Sequence, residues 1–297
     1  MSKMNRRSFL KAGTAAGIVA AGGASALAAP VKKSATDWVT LGNSGVKVTR
    51  LAFGTGTFGG RVQRELGQEE FSKLVRYAYE RGIRFFETAD NYKEMPQMLA
   101  TALKGIPRDT YKLMTKYRLR DTENQQETVD RLRKDLNSEY VDIMLLHCVR
   151  TTDWSEQHKK LRDGLSEAKA KKIILAHGAS CHGLLPLRAF PDNKWLDVAL
   201  MRVNHDGTKM DTLKMIDTND VGDVNEVAGH IKKIHAQGTG VLGMKIMGEG
   251  QFKTPEQRDA SIKYVMQLGT VNAVTIGFKS PAEIDEAIER IGRHLNA

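Results

Sequence analysis

Apolar and polar positions along this chain alternate between two kinds of pattern. Eight short apolar runs are typical of buried strands, and between them lie amphipathic stretches with helical spacing of their apolar positions. The predicted strands lie in the segments RLAFGT, IRFFET, YKLMTK, VDIMLLH, KIILAHG, LDVALMRVN, GVLGMKI and VNAVTIG. The predicted helices cover residues 68–81, 122–138, 155–172, 222–237, 255–268 and 281–294.

The order of these elements predicts the fold. Thr254-Pro255 and Ser280-Pro281 each combine a capping residue with a proline at the first helical position. Each strand and helix together take roughly 30 residues, as a parallel βαβ unit requires. Eight units predict an α/β protein with a (β/α)8 TIM barrel over residues 37–297. A doubly wound open sheet is the alternative.

Two segments at the start of the barrel need separate interpretation. DWVTLGNSGVKVTRLAFGTG predicts an N-terminal β-hairpin that turns at Asn43-Ser44-Gly45. Gly54-Thr55-Gly56-Thr57-Phe58-Gly59 fits the G-x-G-x-x-G pattern of dinucleotide-binding folds. However, these glycines do not open a helix directly, and the acid at Glu87 lies too far along the chain for that motif. We interpret the segment as a loop above the first barrel strand.

The first 28 residues form a predicted twin-arginine signal peptide. Arg6 and Arg7 lie in a basic region, a weakly apolar run rich in Gly and Ala follows, and Ala26-Leu27-Ala28 is a cleavage site. The apolar run is shorter than the ~20 residues that span a bilayer. We therefore expect export by the twin-arginine machinery into the periplasm, with no stable membrane span. The resemblance to twin-arginine signals also implies a cofactor that is loaded before export.

Charge and composition exclude some classes of function. Removing the four basic residues of the signal lowers the formal net charge from +10 to +6. The sequence has no stripe of basic residues interleaved with aromatic residues, so it does not predict a surface that binds nucleic acid. The two cysteines, Cys148 and Cys181, are too few for a disulfide framework, although they could pair with each other after export.

The strand ends carry the candidate chemistry. Glu87 ends the second predicted strand, Lys116 the third, His147 the fourth, and the fifth ends within residues 177–180. The carboxyl ends of barrel strands meet at one face, so these side chains should converge, and Tyr92 can fold back over them.

This set of residues has a chemical logic. A tyrosine hydroxyl, with a pKa near ~10, transfers protons poorly at neutral pH unless a cation stabilises the phenolate. Lys116 can supply that cation, and Glu87 offsets the cost of burying it. His147 can polarise a carbonyl on the same oxygen. The set predicts an enzyme in which Tyr92 is the acid for carbonyl reduction.

FFETADNY, LMTKY and VDIMLLH closely resemble the aldo-keto reductases, and similarity extends over nearly the whole mature chain. The resemblance implies hydride transfer from a nicotinamide cofactor to an aldehyde or ketone, the small-molecule substrate. It assigns Tyr92 as general acid, Lys116 as the residue that tunes it, and His147 as the residue that orients the carbonyl. Glu87 departs from the aspartate of the family pattern.

The resemblance also implies a cofactor site, with NADP preferred and NAD possible. The implied cofactor-binding residues are Ser180, Cys181, Asn204, Lys245, Gly277, Lys279 and Ser280. Cys181 and Asn204 replace the family's asparagine and glutamine, and Glu283 lies where a cation or amide is common. Lys279 and Ser280 could meet a 2′-phosphate at a helix N-terminus.

Two other functions remain open at this point. The barrel could bind a dinucleotide or small ligand with little or no catalysis. Alternatively it could bind a soft metal through imidazole and thiolate groups at strand ends. The candidate ligands for that metal are His147, Cys148, Cys181, His182 and His205.

Overall fold

A computed structural model of the chain describes residues 32–121, 124–214 and 221–297. The predicted twin-arginine signal peptide, residues 1–28, lies outside the described residues. Residues Lys32–Ala297 form one compact unit.

A two-stranded hairpin precedes the barrel, as predicted. Strands β1 (Trp38–Thr40) and β2 (Lys47–Thr49) pair antiparallel. Leu41, Val46 and Val48 from this hairpin are buried in the same apolar cluster as the barrel interior. The hairpin therefore contributes to the core and is not a free appendage.

Eight parallel strands close into a barrel in the order β10-β3-β4-β5-β6-β7-β8-β9. The closed order confirms the predicted (β/α)8 barrel and excludes the open sheet. The strands are β3 (Leu51–Gly54), β4 (Phe85–Glu87), β5 (Lys112–Arg118), β6 (Val141–Val149), β7 (Ile174–Cys181), β8 (Val198–Arg202), β9 (Gly240–Met244) and β10 (Ala273–Gly277).

Helices connect the strands. They are α1 (Arg61–Arg64), α2 (Gly67–Glu80), α3 (Met95–Leu103), α4 (Gln125–Asp135), α5 (Trp154–Gln157), α6 (Lys159–Ala170), α7 (Leu184–Arg188), α8 (Val224–Ala236), α9 (Pro255–Gln267) and α10 (Pro281–Leu295). The six predicted helices correspond to α2, α4, α5 with α6, α8, α9 and α10. Thr254 and Ser280 cap α9 and α10 as predicted.

Alternation along the strands divides the core in two. Met114, Ile143, Leu145 and Leu200 belong to the barrel interior, together with Leu41 of the hairpin. The residues between them on the strands pack outward against the helices and form the larger cluster. Since successive side chains of a strand point to opposite faces, each inward position predicts the next one two residues later.

Three strands run beyond their predicted ends, to Arg118 in β5, Val149 in β6 and Cys181 in β7. The expectation that the fifth strand ends within residues 177–180 is therefore corrected. His177 lies in the middle of β7 and stacks on Trp195, with ring centroids 4.4 Å apart. Side chains of a strand point alternately inward and outward, and His177 lies at an outward position of β7, so its imidazole faces the outer layer.

No helix within the described ranges is both long enough and apolar enough to cross a membrane.

Candidate active site

Lys116 lies at the centre of the polar cluster above the barrel core. Its side chain is 2% exposed, and its ammonium group donates to the Glu87 carboxylate and, at 2.8 Å, to the backbone oxygen of Thr88. The same nitrogen lies 3.4 Å from the Tyr92 hydroxyl. Burying an ammonium group is tolerable here because a carboxylate and a carbonyl compensate it.

Glu87 fits this position because the neighbouring strand leaves room for it. Its Oε2 accepts a hydrogen bond from the Thr275 hydroxyl at 3.2 Å. Gly54 pairs with Glu87 across β3 and β4, and a Cβ at Gly54 would be 3.1 Å from Oε2 and 2.5 Å from the Thr275 hydroxyl. The absence of a side chain at Gly54 therefore accommodates the longer carboxylic acid.

Tyr92 approaches the cluster from the loop after β4. A Cβ on Gly56 would be 2.6 Å from the phenol oxygen, so a glycine in the loop after β3 permits this close approach. Burial raises the pKa of Tyr92 well above its ordinary value, and the negative charge of Glu87 adds to this effect. The sequence argument expected Lys116 to favour the phenolate, but desolvation dominates and the hydroxyl stays protonated.

His147 lies beside Tyr92, with ring centroids 5.5 Å apart and the rings nearly perpendicular. Burial lowers the pKa of His147 well below its ordinary value, and the charges of Lys116, Arg150 and Arg118 lower it further. The imidazole is therefore neutral at physiological pH. Its Nδ1 is buried and makes no hydrogen bond to any residue that the structure describes.

A bulge in β6 brings a second group of polar residues to the barrel mouth. The pairing with β7 shifts register between Leu146 and Val149, and Cys148 adopts a left-handed backbone conformation with φ 62°. The Cys148 thiol then lies 3.3 Å from Nε2 of His182. Bulges commonly redirect a side chain next to a functional site.

Arg202 orients His182. Its guanidinium donates to Nδ1 of His182, so Nε2 carries the ring proton in the neutral form and can donate it to Cys148. Arg202 also lies 3.7 Å from Asp211, whose carboxylate accepts the Gly183 backbone N–H at 2.7 Å. Burial lowers the pKa of His182 well below its ordinary value, and the charge of Arg202 contributes.

Arg202, Asp211 and Glu249 were not predicted as site residues. The alternation of side chains along β8 could have predicted Arg202. Val198 and Leu200 point into the barrel, and Arg202 is the next residue on the same face. Asp211 and Glu249 lie on loops, where side chains follow no regular alternation that could have predicted their positions.

The two candidate residues at the end of β7 face opposite layers. Ser180 is buried, and its hydroxyl accepts the backbone N–H of Cys148 at 2.8 Å, which stabilises the bulge. Cys181 belongs to the outer core, and its thiol lies 3.5 Å from the Gly183 carbonyl. Only Ser180 has its side chain toward the barrel interior.

Asn204 already has protein partners for its whole amide group. Its nitrogen donates to the carbonyls of Thr208 and Lys245, and its oxygen accepts the N–H groups of Asp206 and Gly207. The side chain holds the loops after β8 and β9 together. The Lys245 ammonium is 2.5 Å from the Glu249 carboxylate.

The residues after β10 lie at the N-terminus of α10. Lys279 is exposed, and Ser280 caps the helix by accepting the Glu283 N–H at 3.4 Å. The Glu283 carboxylate accepts the Lys279 N–H at 2.8 Å. Gly277 lies close to the loop after β3, since a Cβ there would be 2.5 Å from the Thr57 hydroxyl. The N-terminus of α10 therefore offers the Lys279 ammonium group as a cation, but the Glu283 carboxylate already occupies a position there.

The residues considered for a metal site do not form one. Among the described residues, no group of three His, Cys, Asp or Glu side chains could hold a metal ion. His205 packs against Phe252, with ring centroids 5.0 Å apart, and Cys181 faces the outer core. Cys148 and Cys181 are not bonded to each other, so the possible disulfide is not formed.

Comparison with known proteins identifies the family to which this barrel belongs. The model of the aldo/keto reductase family matches residues 50–296. The chain belongs to the aldo/keto reductase family. An aldo-keto reductase from Glycine max is 31% identical over 163 residues, which is 47% of each chain. The match thus spans about half the length of this curated relative.

Solved structures show the same fold over most of the chain. A Pseudomonas aeruginosa protein described as an aldo-keto reductase aligns with a TM-score of 0.69 at 21% identity, covering 89% of this chain and 98% of that one. An aldo-keto reductase from Bombyx mori, determined in complex with NADP, aligns with a TM-score of 0.60 at 15% identity, covering 86% and 91%.

Proposed function

We propose that this protein reduces an aldehyde or ketone to an alcohol with NADPH or NADH, and that Tyr92 is the general acid. The observation that carries the proposal is the 3.4 Å approach of the Tyr92 hydroxyl to a lysine that Glu87 and the Thr88 carbonyl hold in place. Family membership supports the same chemistry.

Each residue of the cluster has a role in this reaction. A reduced nicotinamide, when bound, would supply the hydride for the carbonyl carbon. Tyr92 donates its proton to the carbonyl oxygen as that oxygen gains negative charge. Lys116 stabilises the phenolate that remains, and Glu87 keeps the ammonium in position. His147 is neutral and can donate one ring N–H to orient the carbonyl.

The residues at the barrel mouth fit a dinucleotide in part. Lys245 and the exposed Lys279 supply cations for phosphate groups, and Ser180 lies on the inward side of β7. NADP is the first candidate, because Lys279 and the α10 N-terminus favour an additional phosphate. The Glu283 carboxylate at the same terminus opposes that preference, which keeps NAD as the alternative. Asn204 would have to give up a loop contact to bind the cofactor.

A barrel that binds the dinucleotide with little turnover is the second candidate. The observation that favours it is the strongly raised pKa of Tyr92, since burial and Glu87 both oppose the phenolate that proton transfer leaves behind.

Replacing Tyr92 separates these two functions. We expect the wild-type protein to quench the fluorescence of NADPH or NADH and to oxidise it in the presence of a reactive aldehyde. Tyr92→Phe should lower kcat by roughly 10²–10⁴-fold, since it removes a general acid, and should leave cofactor affinity nearly unchanged. Titration with both cofactors also measures the preference between them.

Tyr264→Phe is the matched control, because it removes a half-buried phenol on α9, away from the cluster. Its kcat should equal that of the wild type. Quenching by the wild type without turnover of any aldehyde in a broad panel would support the binding function. A kcat of Tyr92→Phe close to the wild-type value would refute the assignment of the acid.

A further inference from the structure

Two arginines lie at the rim of the barrel near His147. Arg118 is the last residue of β5 and pairs in register with His147 of β6. Arg150 directly follows Val149, the last residue of β6. Both arginines are exposed, and both are close enough to lower the pKa of His147 through their charge. Both cations therefore lie near the group that would orient the substrate carbonyl.

Strand alternation points Arg118 toward the barrel mouth. Met114 lies in the barrel interior, and Lys116 follows it on the same face with its ammonium in the Tyr92 cluster. Arg118 is two residues further along β5, so its side chain starts on this face, one layer above Lys116. Its backbone N–H donates to Asp90 at 3.1 Å, which fixes the end of the strand.

Three other cations of the mouth have anionic partners within the protein. Lys116 pairs with Glu87, Lys245 with Glu249, and Arg202 lies near Asp211. Over residues 32–121, 124–214 and 221–297, neither the Arg118 nor the Arg150 guanidinium makes a hydrogen bond or an ion pair. Asp90 lies near Arg118, and it is also within electrostatic reach of Arg120 and Arg131. In the part of the chain that the structure describes, the rim next to His147 therefore carries an excess of positive charge.

We propose that the substrate is a carbonyl compound that carries an oxyanion, a carboxylate or a phosphate, and that Arg118 and Arg150 bind this group beside His147. The proposal rests on the reductase function and specifies its substrate class. A guanidinium presents parallel N–H donors that match a carboxylate or phosphate in a bidentate arrangement. Positive charge at the rim also raises the rate of encounter with anionic ligands.

Matched pairs of substrates test the proposal. 4-Oxobutanoate and butanal share the same chain and differ in the terminal carboxylate, and glyceraldehyde 3-phosphate and glyceraldehyde differ in the phosphate. We expect a higher kcat/KM for the anionic member of at least one pair. Its KM should rise with added NaCl, whereas KM for the neutral member should not, because salt screens exposed charges. The pair with the larger difference identifies the anion.

Substitution of the arginines assigns the effect to this surface. Arg118→Gln and Arg150→Gln should each lower the ratio of kcat/KM values, anionic over neutral, by roughly tenfold, because each removes a charge-assisted contact. Arg118→Lys should keep part of the ratio, since the charge remains and the bidentate geometry is lost. Arg293→Gln is the control, because it removes an exposed arginine near the end of α10. The control should keep the wild-type ratio.

The outcomes distinguish this proposal from the reductase function itself. The proposal of an anionic substrate is refuted if the neutral compounds are reduced as well as the anionic ones or better. It is also refuted if both arginine variants keep the wild-type ratio of kcat/KM values, anionic over neutral. Neither result contradicts the reductase function. If no compound is reduced, calorimetric titration with succinate and with inorganic phosphate replaces kinetics as the measurement. Binding of one of these probes that weakens in Arg118→Gln supports the anion site, and binding that is absent or equal in wild type and variant refutes it.

Discussion

At the residue scale, neighbouring residues make room for the side chain of Glu87. Glu87 is one methylene longer than an aspartate would be, and its carboxylate contacts Lys116. The room comes from Gly54, and Thr275 bonds the second carboxylate oxygen. The strand-end spacing predicted Glu87, Lys116 and His147 as neighbours. It could not predict the space at Gly54, which depends on the register between β3 and β4.

The protonation states of Tyr92 and His147 predict the pH dependence of reduction. Burial raises the pKa of Tyr92 and lowers the pKa of His147, so the acid stays protonated and the imidazole stays neutral over a widened range. We expect kcat to be constant from about pH 6.5 to about pH 10, the ordinary pKa values of the two groups. A pH–rate profile from stopped-flow measurements checks this.

The direction of any change identifies the group responsible. Activity lost with rising pH below about pH 9 would mean that Tyr92 ionises more easily than its burial implies. Activity lost with falling pH above about pH 6.5 would mean that His147 takes up a proton despite desolvation. Either result would contradict the electrostatic description of the cluster.

At the element scale, the sequence predicted the periodic elements and missed those without a period. The long helices were found because their apolar faces repeat and because Thr254 and Ser280 mark their starts. Helix α3 has nine residues, with a proline in its first turn, and α7 has five. Such short segments carry too few turns for a periodic signal. The bulge at Cys148 arises from pairing with β7, which local sequence does not specify.

We expect Asp142 to stabilise the N-terminal ends of β5 and β6. Its carboxylate is fully buried and pairs with Arg108 at 2.7 Å and Lys112 at 3.0 Å, and it accepts the Leu113 N–H at 2.9 Å. Asp142→Asn keeps the volume and leaves two cations without their counter-charge. We expect a loss of about 3 kcal/mol in the free energy of unfolding, measured by urea denaturation.

An exposed ion pair supplies the control for Asp142. Asp163 pairs with Lys159 one turn away on α6, and both side chains are 63% exposed. Asp163→Asn should change the free energy of unfolding by less than about 0.5 kcal/mol. Equal effects of the two substitutions would show that burial does not determine the importance of Asp142.

At the scale of the whole molecule, barrel closure converts distant positions into one site. Residues of β4, β5 and β6 that lie about 30 positions apart in sequence meet because parallel strands present their carboxyl ends at one face. The hairpin residue Leu41 joins the inner core of the barrel. The folded barrel thus forms one unit, which suits a route that exports folded proteins.

We propose that the whole molecule is exported to the periplasm by the twin-arginine machinery. The support is the basic segment with Arg6 and Arg7, followed by the weakly apolar run and Ala26-Leu27-Ala28. Replacing both arginines by lysine keeps the charge and removes the guanidinium pair. We expect the chain to remain uncleaved in the cytoplasm, as measured by fractionation and by the mass of the purified protein.

Lys3→Arg with Lys11→Arg is the control, because it alters two basic residues outside the arginine pair. This variant should be exported and cleaved like the wild type. Export of the Arg6→Lys and Arg7→Lys variant at the wild-type level would refute the twin-arginine route.

The sequence alone determined the number of βα units, the hairpin and the placement of Glu87, Lys116 and His147 at, or within two residues of, the carboxyl ends of their strands. These features follow from local periodicity, and the barrel makes strand ends converge whatever the loops contain. Tertiary structure decided the outward turn of His177, the redirected Cys148, the contact of Arg202 with His182 and the raised pKa of Tyr92. These depend on strand register and on burial, which arise only when segments distant in sequence pack together.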